Sequence, residues 1–282
     1  MTAAGADAAI AAAAGALGLV QPEVTPLDGG IANRSFRLRA PGQDLVLKLA
    51  SDAAGALCAS VQSEYAMQAL GARAGLAPAV VLANPAHGFI VSRYVPGRTP
   101  SATGFDDARL LRRVGAWIAA LHALPVPSGL DVVDFGERAA GYLMRVTAGG
   151  SDAFAARLAR ELQRRRAALA GPAQLAACHH DLHHRNFIDD GTRLLAVDWE
   201  YAGPGDPAAD LAACIGYHAL GNASVEALLE GYDRTDVALR ARIAALRWIF
   251  DCLWYAWNAA AELAGLAPDP GEQSRLAARL AH

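Results

Sequence analysis

The spacing of hydrophobic residues along the chain changes near residue 95. Before that point, apolar and polar residues alternate over short segments such as 36–39 and 45–49, which is the two-residue period of β-strands. After it, apolar residues recur every three or four positions, which predicts amphipathic helices. The helices are expected at 106–124, 154–170, 208–217, 225–232 and 242–263.

This change of period predicts an α+β protein with a small β-rich part at 1–95 and a larger, mainly helical part at 96–282. One helix is expected within the first part, at 61–74, and a strand that begins at Phe89 ends at Pro96-Gly97. A chain of 282 residues that is 54% hydrophobic can bury a substantial core, as one large domain or as two lobes.

A polar stretch in the helical part carries three side chains suited to phosphoryl transfer. Asn186 follows Asp181 by five residues, and Asp198 follows twelve residues later. Transfer from a metal-bound nucleotide needs one Asp to orient the acceptor hydroxyl and accept its proton, and an Asn and a second Asp to hold magnesium. Two short apolar runs flank an Asp-Gly turn at 189–193, which predicts a β-hairpin that folds Asp198 back towards Asn186.

Lys48 is the only lysine of the chain, and the other 24 basic residues are arginines. A lysine on an apolar strand of such a chain indicates a site where a compact ammonium fits and a guanidinium would crowd its partners. The α- and β-phosphates of a nucleotide are partners of that kind. The alternative is a lysine at a strand edge whose ammonium reaches solvent.

The arrangement His-x-Asp-(x)4-Asn, followed by Asp-Trp-Glu at 198–200, resembles the choline kinase and aminoglycoside phosphotransferase superfamily. The segment Gly-Gly-x-x-Asn-x-x-Phe at 29–36 resembles the nucleotide-covering loop of choline-kinase-like proteins. The resemblance covers roughly residues 25–262 and implies a two-lobed, protein-kinase-like fold with ATP and Mg²⁺ as cofactors.

The same resemblance implies roles for individual residues. Glu64 would hold Lys48 over the phosphates, the segment from Phe89 to Gly97 would pair with adenine through backbone groups, and Asp210 would brace the catalytic loop. The expected catalytic residues are Asp181, Asn186 and Asp198, of which Asn186 and Asp198 bind the metal. The expected ATP-binding residues are Lys48, Glu64, Gly30, Asn33, Ser35, Tyr94 and Val95.

The acceptor is expected at the last long helix, because three of the five tryptophans fall within 248–257. Trp254 and Trp257 share one helix face, and aromatic faces attract a quaternary ammonium, helped by a nearby carboxylate. This Trp-x-x-Trp element resembles the choline-binding helix of choline kinases. The alternative is a helix whose aromatic residues simply pack in the core. The expected acceptor-binding residues are Glu200, Asp251, Trp254 and Trp257.

These features predict an ATP-dependent kinase that phosphorylates a hydroxyl of choline or a similar amino alcohol. Ethanolamine, thiamine and aminoglycosides are alternative acceptors. Two alternatives belong to other classes: a non-catalytic nucleotide-binding protein, and a zinc hydrolase that uses the histidines within 179–184. The latter lacks an HExxH pattern, and the sequence around these histidines is a poor helix.

Composition limits the kinds of binding partner and the cell compartment that are expected for this protein. A net charge of −3 without a basic face argues against nucleic-acid binding. The four cysteines form no CxxC pair and fit a reducing cytoplasm. No Lys or Arg precedes Arg34, so a secretory signal is not expected, and no apolar run long enough for a membrane span is seen. A cytoplasmic enzyme with a small-molecule partner is therefore expected.

Overall fold

A computed structural model describes residues 3–27, 33–50, 61–148, 152–172, 174–234 and 236–281. The chain divides into two compact units. The first comprises Met1–Pro100 and His184–Ala202, and the second comprises Ser101–His183 and Gly203–His282. These units differ from the division expected at residue 95, because 184–202 joins the first unit. Two backbone hydrogen bonds of 2.9 Å, one in each direction between Arg98 and Asp189, connect that segment to the first unit.

The first part of the chain forms strands and two helices, and the later part is mainly helical. The strands are β1 (Glu23–Leu27), β2 (Asn33–Ala40), β3 (Gln43–Ala50), β4 (Val80–Asn84), β5 (Phe89–Arg93), β6 (Ala176–Cys178), β7 (Phe187–Asp189), β8 (Leu194–Ala196) and β9 (Gly203–Gly205). The helices are α1 (Ala3–Leu17), α2 (Val61–Arg73), α3 (Ala108–His122), α4 (Phe135–Ala148), α5 (Ala153–Ala168), α6 (Pro207–His218), α7 (Asn222–Tyr232), α8 (Val237–Leu263) and α9 (Pro270–Leu280). Short 3-10 helices lie at Pro85–His87, Ala102–Asp106 and His184–Asn186.

The first unit is built on an antiparallel sheet of order β1-β2-β3-β5-β4. Alternation along β3 sends Leu45, Leu47 and Leu49 into a core that α1 covers with small alanines such as Ala9 and Ala13. Lys48 therefore points to the opposite face, where the β2–β3 register sets Ser35 directly across from it. The predicted β7–β8 hairpin is confirmed and belongs to the same unit.

The second unit is mainly helical, with α3 packed on α7 and α8 packed on α4 and α6. Its one ladder among the described residues pairs β6 with β9. The helix expected at 106–124 begins at Ala108, because the Asp107 side chain accepts from the Arg109 backbone N–H (2.8 Å). The helices α4 and α9 are not among those predicted from the sequence. No helix in the described ranges combines the length and the apolar character needed to cross a bilayer.

Two glycines allow α3 and α7 to approach closely. A Cβ atom on Gly115 would overlap the backbone of Leu228 and Tyr232, and a Cβ on Gly231 would overlap the backbone of Arg112. Backbone atoms cannot rotate aside as a flexible side chain can, so the two helices would have to separate.

Gly115→Ala is expected to lower the free energy of unfolding by about 1–3 kcal/mol, because overpacking forces backbone shifts. Gly141→Ala is the matched control, since it lies in α4 with no atom within 4 Å of a Cβ. The control should be neutral or stabilising by about 0.5–1 kcal/mol, the helix propensity difference. Urea unfolding of both variants measures the change in the free energy of unfolding. Equal changes in the two variants would show that the close approach of α3 and α7 does not determine the effect of the substitution.

Candidate active site

The ammonium of Lys48 lies among three carboxylates of the first unit. Its Nζ is 2.7 Å from Glu64 Oε1 and 3.2 Å from Glu200 Oε2, and it also donates to Asp198 Oδ1. Glu64 comes from α2, whereas Asp198 and Glu200 follow β8. The structure thus brings Lys48 together with two of its sequence-predicted neighbours in the site, Glu64 and Asp198, and adds Glu200.

The charges of this cluster are strongly coupled. Burial by itself lowers the pKa of Lys48, but the Asp198, Glu64 and Glu200 carboxylates together raise that pKa well above its ordinary value. Burial also raises the pKa of Glu64, and the charge of Lys48 opposes the rise. Lys48 is therefore a fixed positive charge at neutral pH, surrounded by more carboxylates than it can neutralise.

Trp199 explains how the two carboxylates of the Asp-Trp-Glu segment reach the same ammonium. Its side chain is fully buried, and its indole N–H donates to the Ala196 carbonyl (2.9 Å). The ring fills the space beside Gly71 of α2, where a Cβ would lie 2.6 Å from it. Asp198 and Glu200, on either side of this anchor, both turn towards Lys48.

Glu200 is also held by β2, because Asn33 Nδ2 donates a hydrogen bond to its carboxylate. Glu200 therefore contacts both Asn33 and Lys48 in the first unit, and its expected role in acceptor binding stays a prediction. The acceptor residues expected on α8 lie in the second unit. Gly30, expected to bind ATP, lies outside the described residues.

Asn186 and Asp198 supply the oxygen donors expected for magnesium. The Val197 backbone N–H donates to the Asn186 carbonyl (2.9 Å), so the hairpin returns the chain beside Asn186, as its turn signal predicted. Asp198 has a positive φ of 64°, an uncommon backbone conformation for a residue other than glycine. Carboxylate and amide oxygens are ligands that Mg²⁺ accepts, and a divalent cation would offset the excess negative charge around Lys48. The residues present therefore fit a magnesium ion.

Tyr94 and Val95 follow β5 at the position expected for the nucleotide base. The Tyr94 backbone N–H donates to the Asp44 carbonyl (2.9 Å), and its ring stacks on the Arg37 guanidinium at 3.6 Å. Arg37 is in turn paired with the Asp44 carboxylate. The N–H of Tyr94 is thus committed to the sheet, and a contact between Tyr94 backbone and adenine would use its carbonyl oxygen.

Asp181 lies in the second unit, where Tyr217 of α6 holds it. The Tyr217 hydroxyl donates to Asp181 Oδ1 (2.5 Å), and His183 Nε2 lies 3.6 Å from Oδ2. The His183 ring packs edge-on against Tyr217 at 5.3 Å. Tyr217 is not predicted from the sequence, because no local pattern marks a residue whose partner lies 36 positions away.

Asp210 braces the backbone just before Asp181. Its carboxylate accepts from the N–H groups of His179 (2.9 Å) and His180 (2.6 Å) and contacts His122 Nε2 at 3.0 Å. Burial by itself raises the pKa of Asp210, but these bonds and the His122 interaction lower it to about 2. The brace is therefore an ionised, fully buried carboxylate.

Two aromatic residues of α8 pack against Tyr217 of α6. The centre of the Tyr217 ring lies 4.7 Å from that of Trp254 and 4.8 Å from that of Phe250, and both contacts are edge-on. Trp254 and Trp257 are both half-buried. An acceptor bound beside Trp254 would thus lie near the tyrosine that holds Asp181.

The histidines within 179–184 lie on non-helical backbone up to the short 3-10 helix at His184–Asn186. His179 Nδ1 accepts from the Asp181 backbone N–H at 3.3 Å, which is a structural role. Among the described residues, donors close enough to share a metal are His122, Cys178 and Asp210, and the Asp210 carboxylate is already used by the brace. A zinc site built from the 179–184 histidines gains no support from this geometry.

Comparison with known proteins gives a consistent family. The phosphotransferase enzyme family matches residues 23–246. A choline/ethanolamine kinase family protein from Mesorhizobium loti superposes with a TM-score of 0.78 and 27% identity, covering 98% of this chain and 94% of that one. Choline kinase LicA from Streptococcus pneumoniae gives a TM-score of 0.80 and 22% identity, covering 98% of each chain. The fold class expected from the sequence, α+β and protein-kinase-like, is confirmed.

Sequence relatives match over shorter segments. A thiamine kinase from Salmonella heidelberg is 38% identical over 88 residues, which are 30% of this chain and 29% of that protein. The chain spans about a third of the length of the curated relatives that it matches.

Asp210→Asn is expected to remove stability that depends on an ionised carboxylate. Since the folded-state pKa of about 2 lies below the ordinary value of 3.8, this stability is present above about pH 4 and is lost as the pH falls towards 2. The variant should therefore be less stable than the parent by about 2 kcal/mol at neutral pH and nearly equal to it at about pH 2. Urea unfolding at both pH values measures this, and a difference independent of pH would contradict the electrostatic role.

Proposed function

The chain belongs to the phosphotransferase enzyme family, and we propose that it transfers the γ-phosphoryl group of magnesium-bound ATP to a hydroxyl group of a small molecule. The observation that supports this most is the Lys48 cluster, in which one ammonium is fixed by Glu64 and lies beside Asp198. Phosphoryl transfer requires little covalent chemistry from the protein, and the fixed charges that position phosphates and metal supply most of the catalysis.

In the first unit, Lys48 would bind phosphate oxygens, and Asn186 and Asp198 would hold the metal. The bound Mg²⁺ supplies charge neutralisation for the phosphates. Asn33 and Ser35 lie on the same face of the sheet as Lys48 and would line the nucleotide site.

In the second unit, Asp181 would act on the acceptor. Its carboxylate orients the hydroxyl and accepts its proton as the acceptor oxygen bonds to the γ-phosphorus and ADP leaves. Tyr217 holds Asp181 Oδ1, so the carboxylate is presented in one orientation. Preorganisation of this kind matters because small displacements of a reacting group cost large factors in rate.

Choline or a similar amino alcohol is the acceptor that this site supports best. Trp254 presents an aromatic surface next to Tyr217, and such surfaces attract a quaternary ammonium. Two of the structural neighbours are described as a choline kinase and a choline/ethanolamine kinase family protein. Thiamine is the second candidate, because one relative is a thiamine kinase and the flat thiazolium cation could also stack on indole.

The buried, unpaired thiols of Cys178, Cys214 and Cys252 fit an enzyme that works in a reducing compartment such as the cytoplasm.

The acceptor assignment is tested with purified protein, labelled Mg-ATP and a panel of choline, ethanolamine, thiamine and an aminoglycoside. The transfer of label to choline should give the highest kcat/KM. Asp181→Asn should reduce kcat by at least about 10²–10⁴, the usual range for general-base action, while the Kd for ATP changes little. An Asp181→Asn enzyme that keeps most of its kcat would contradict the role of Asp181, and transfer to none of the four would contradict the acceptor class.

Lys48→Arg is expected to be damaging although it keeps the charge. Glu64, Asp198 and Glu200 surround a compact ammonium, and a planar guanidinium cannot make the same contacts in that space. The kcat/KM for ATP should fall by about 10²-fold or more, which corresponds to the loss of one charge-assisted contact of about 3 kcal/mol. Arg39→Lys, at an exposed ion pair on β2, is the control and should leave this constant unchanged. A Lys48→Arg enzyme with nearly normal kcat/KM would show that Lys48 does not bind the phosphates.

A further inference from the structure

The second unit places a cation of its own at the Trp254 end of the proposed acceptor site. Arg279 of α9 forms a two-pronged ion pair with Asp251 of α8, with Nε 3.0 Å from Oδ2 and Nη2 2.9 Å from Oδ1. The same guanidinium carbon lies 5.9 Å from the centre of the Trp254 ring. Both groups expected to recognise a cationic acceptor, the carboxylate and the indole, therefore already contact Arg279.

The position of Arg279 is fixed by the packing of α9. Leu276 and Leu280 of this helix are buried, and Arg157 of α5 donates to the Leu280 carbonyl at 3.1 Å. Asp251 is largely buried, and two-pronged pairs between guanidinium and carboxylate are among the more specific ionic contacts. The helix would therefore remain docked if the charge of Arg279 were removed.

Further charged groups act on Asp251. Arg247 lies one turn earlier on α8; burial lowers its pKa, while the Asp251 carboxylate raises it. Glu272 also acts on Asp251, but its carboxylate is paired with Arg275 at 2.5 Å. The direct partner of Asp251 is thus Arg279, whose guanidinium offsets the charge of this carboxylate.

We propose that Arg279 determines the charge specificity of the acceptor site, a proposal that rests on the function proposed above. Arg279 keeps Asp251 from the acceptor, so a cationic headgroup is recognised by the aromatic surface that includes Trp254 and not by this carboxylate. Because Asp251 is paired with Arg279, it offers no free counter-charge to acceptors that carry several ammonium groups. The acceptor class is therefore a small alcohol with a single cationic group, and aminoglycosides are excluded.

The test compares choline with its uncharged isostere 3,3-dimethylbutan-1-ol, which has the same shape. The readout is the ratio of kcat/KM for choline to kcat/KM for the isostere, since a general loss of packing would lower both values together. Arg279→Gln should raise this ratio by about 5- to 30-fold, the effect of one charge at about 8 Å with an effective dielectric constant of about 20–40.

Two further variants protect the test against a folding defect. Asp251→Asn should lower the ratio below that of the parent, because it leaves the Arg279 guanidinium without its carboxylate. The double variant Asp251→Asn/Arg279→Gln has the same local charge as the parent and should restore the parent ratio. Arg240→Gln, three turns before Asp251 on α8 and paired with Glu226, is the matched control and should leave the ratio unchanged.

The outcomes separate the two proposals. A ratio that stays constant across the Asp251 and Arg279 variants, in enzymes that phosphorylate choline, overturns the role of Arg279 and leaves the proposed function intact. A parent enzyme that phosphorylates neither these two alcohols nor thiamine overturns the acceptor class, and the role of Arg279 with it. The expected rise, fall and restoration of the ratio would establish Arg279 as a determinant of specificity.

Discussion

Burying the ammonium of Lys48 is the constraint on which the first unit depends. An ammonium taken out of water costs several kcal/mol unless carboxylates surround it. Here the carboxylates come from α2 and from the segment after β8, which lies 150 residues away in sequence from Lys48. Trp199 fixes that segment against Gly71, so the same anchor serves both the fold and the charge cluster. The surplus of negative charge is costly for folding alone, and it becomes understandable as the environment of a bound cation.

In the second unit, a buried carboxylate is stabilised by backbone N–H groups. The buried Asp210 carboxylate ties down the N–H groups of His179 and His180, the latter in a positive-φ conformation of 66°. Such conformations cost of order 1–3 kcal/mol and persist where surrounding structure enforces them. The backbone that leads to Asp181 is thereby held in one conformation. The phenol of Tyr217 contacts both Asp181 and the indole of Trp254, so the proposed recognition of the acceptor and the proposed acceptance of its proton would depend on adjoining side chains.

Local patterns made much of this predictable. The Asp-Gly turn predicted the β7–β8 hairpin, and the alternation of apolar and polar residues predicted β2 and β3. The isolated lysine indicated a charged site. Tyr217 and Arg279 could not be found in the same way, because their partners lie 36 and 28 residues away and no periodic signal marks either residue. Asp251 shows the resulting limit. Its position beside Trp254 suggested a carboxylate available to a ligand, whereas a helix that the sequence analysis missed pairs it with Arg279.

The central claim is that the Lys48 cluster is a site for a magnesium-bound nucleotide. Calorimetric titration of ATP with and without Mg²⁺, in the parent and in Asp198→Ala, tests it most directly. The parent should bind ATP at least about tenfold more tightly with Mg²⁺, equivalent to about 1.4 kcal/mol, and the variant should lose that difference. ATP binding of equal strength with and without Mg²⁺, or a full magnesium effect in Asp198→Ala, would contradict the claim.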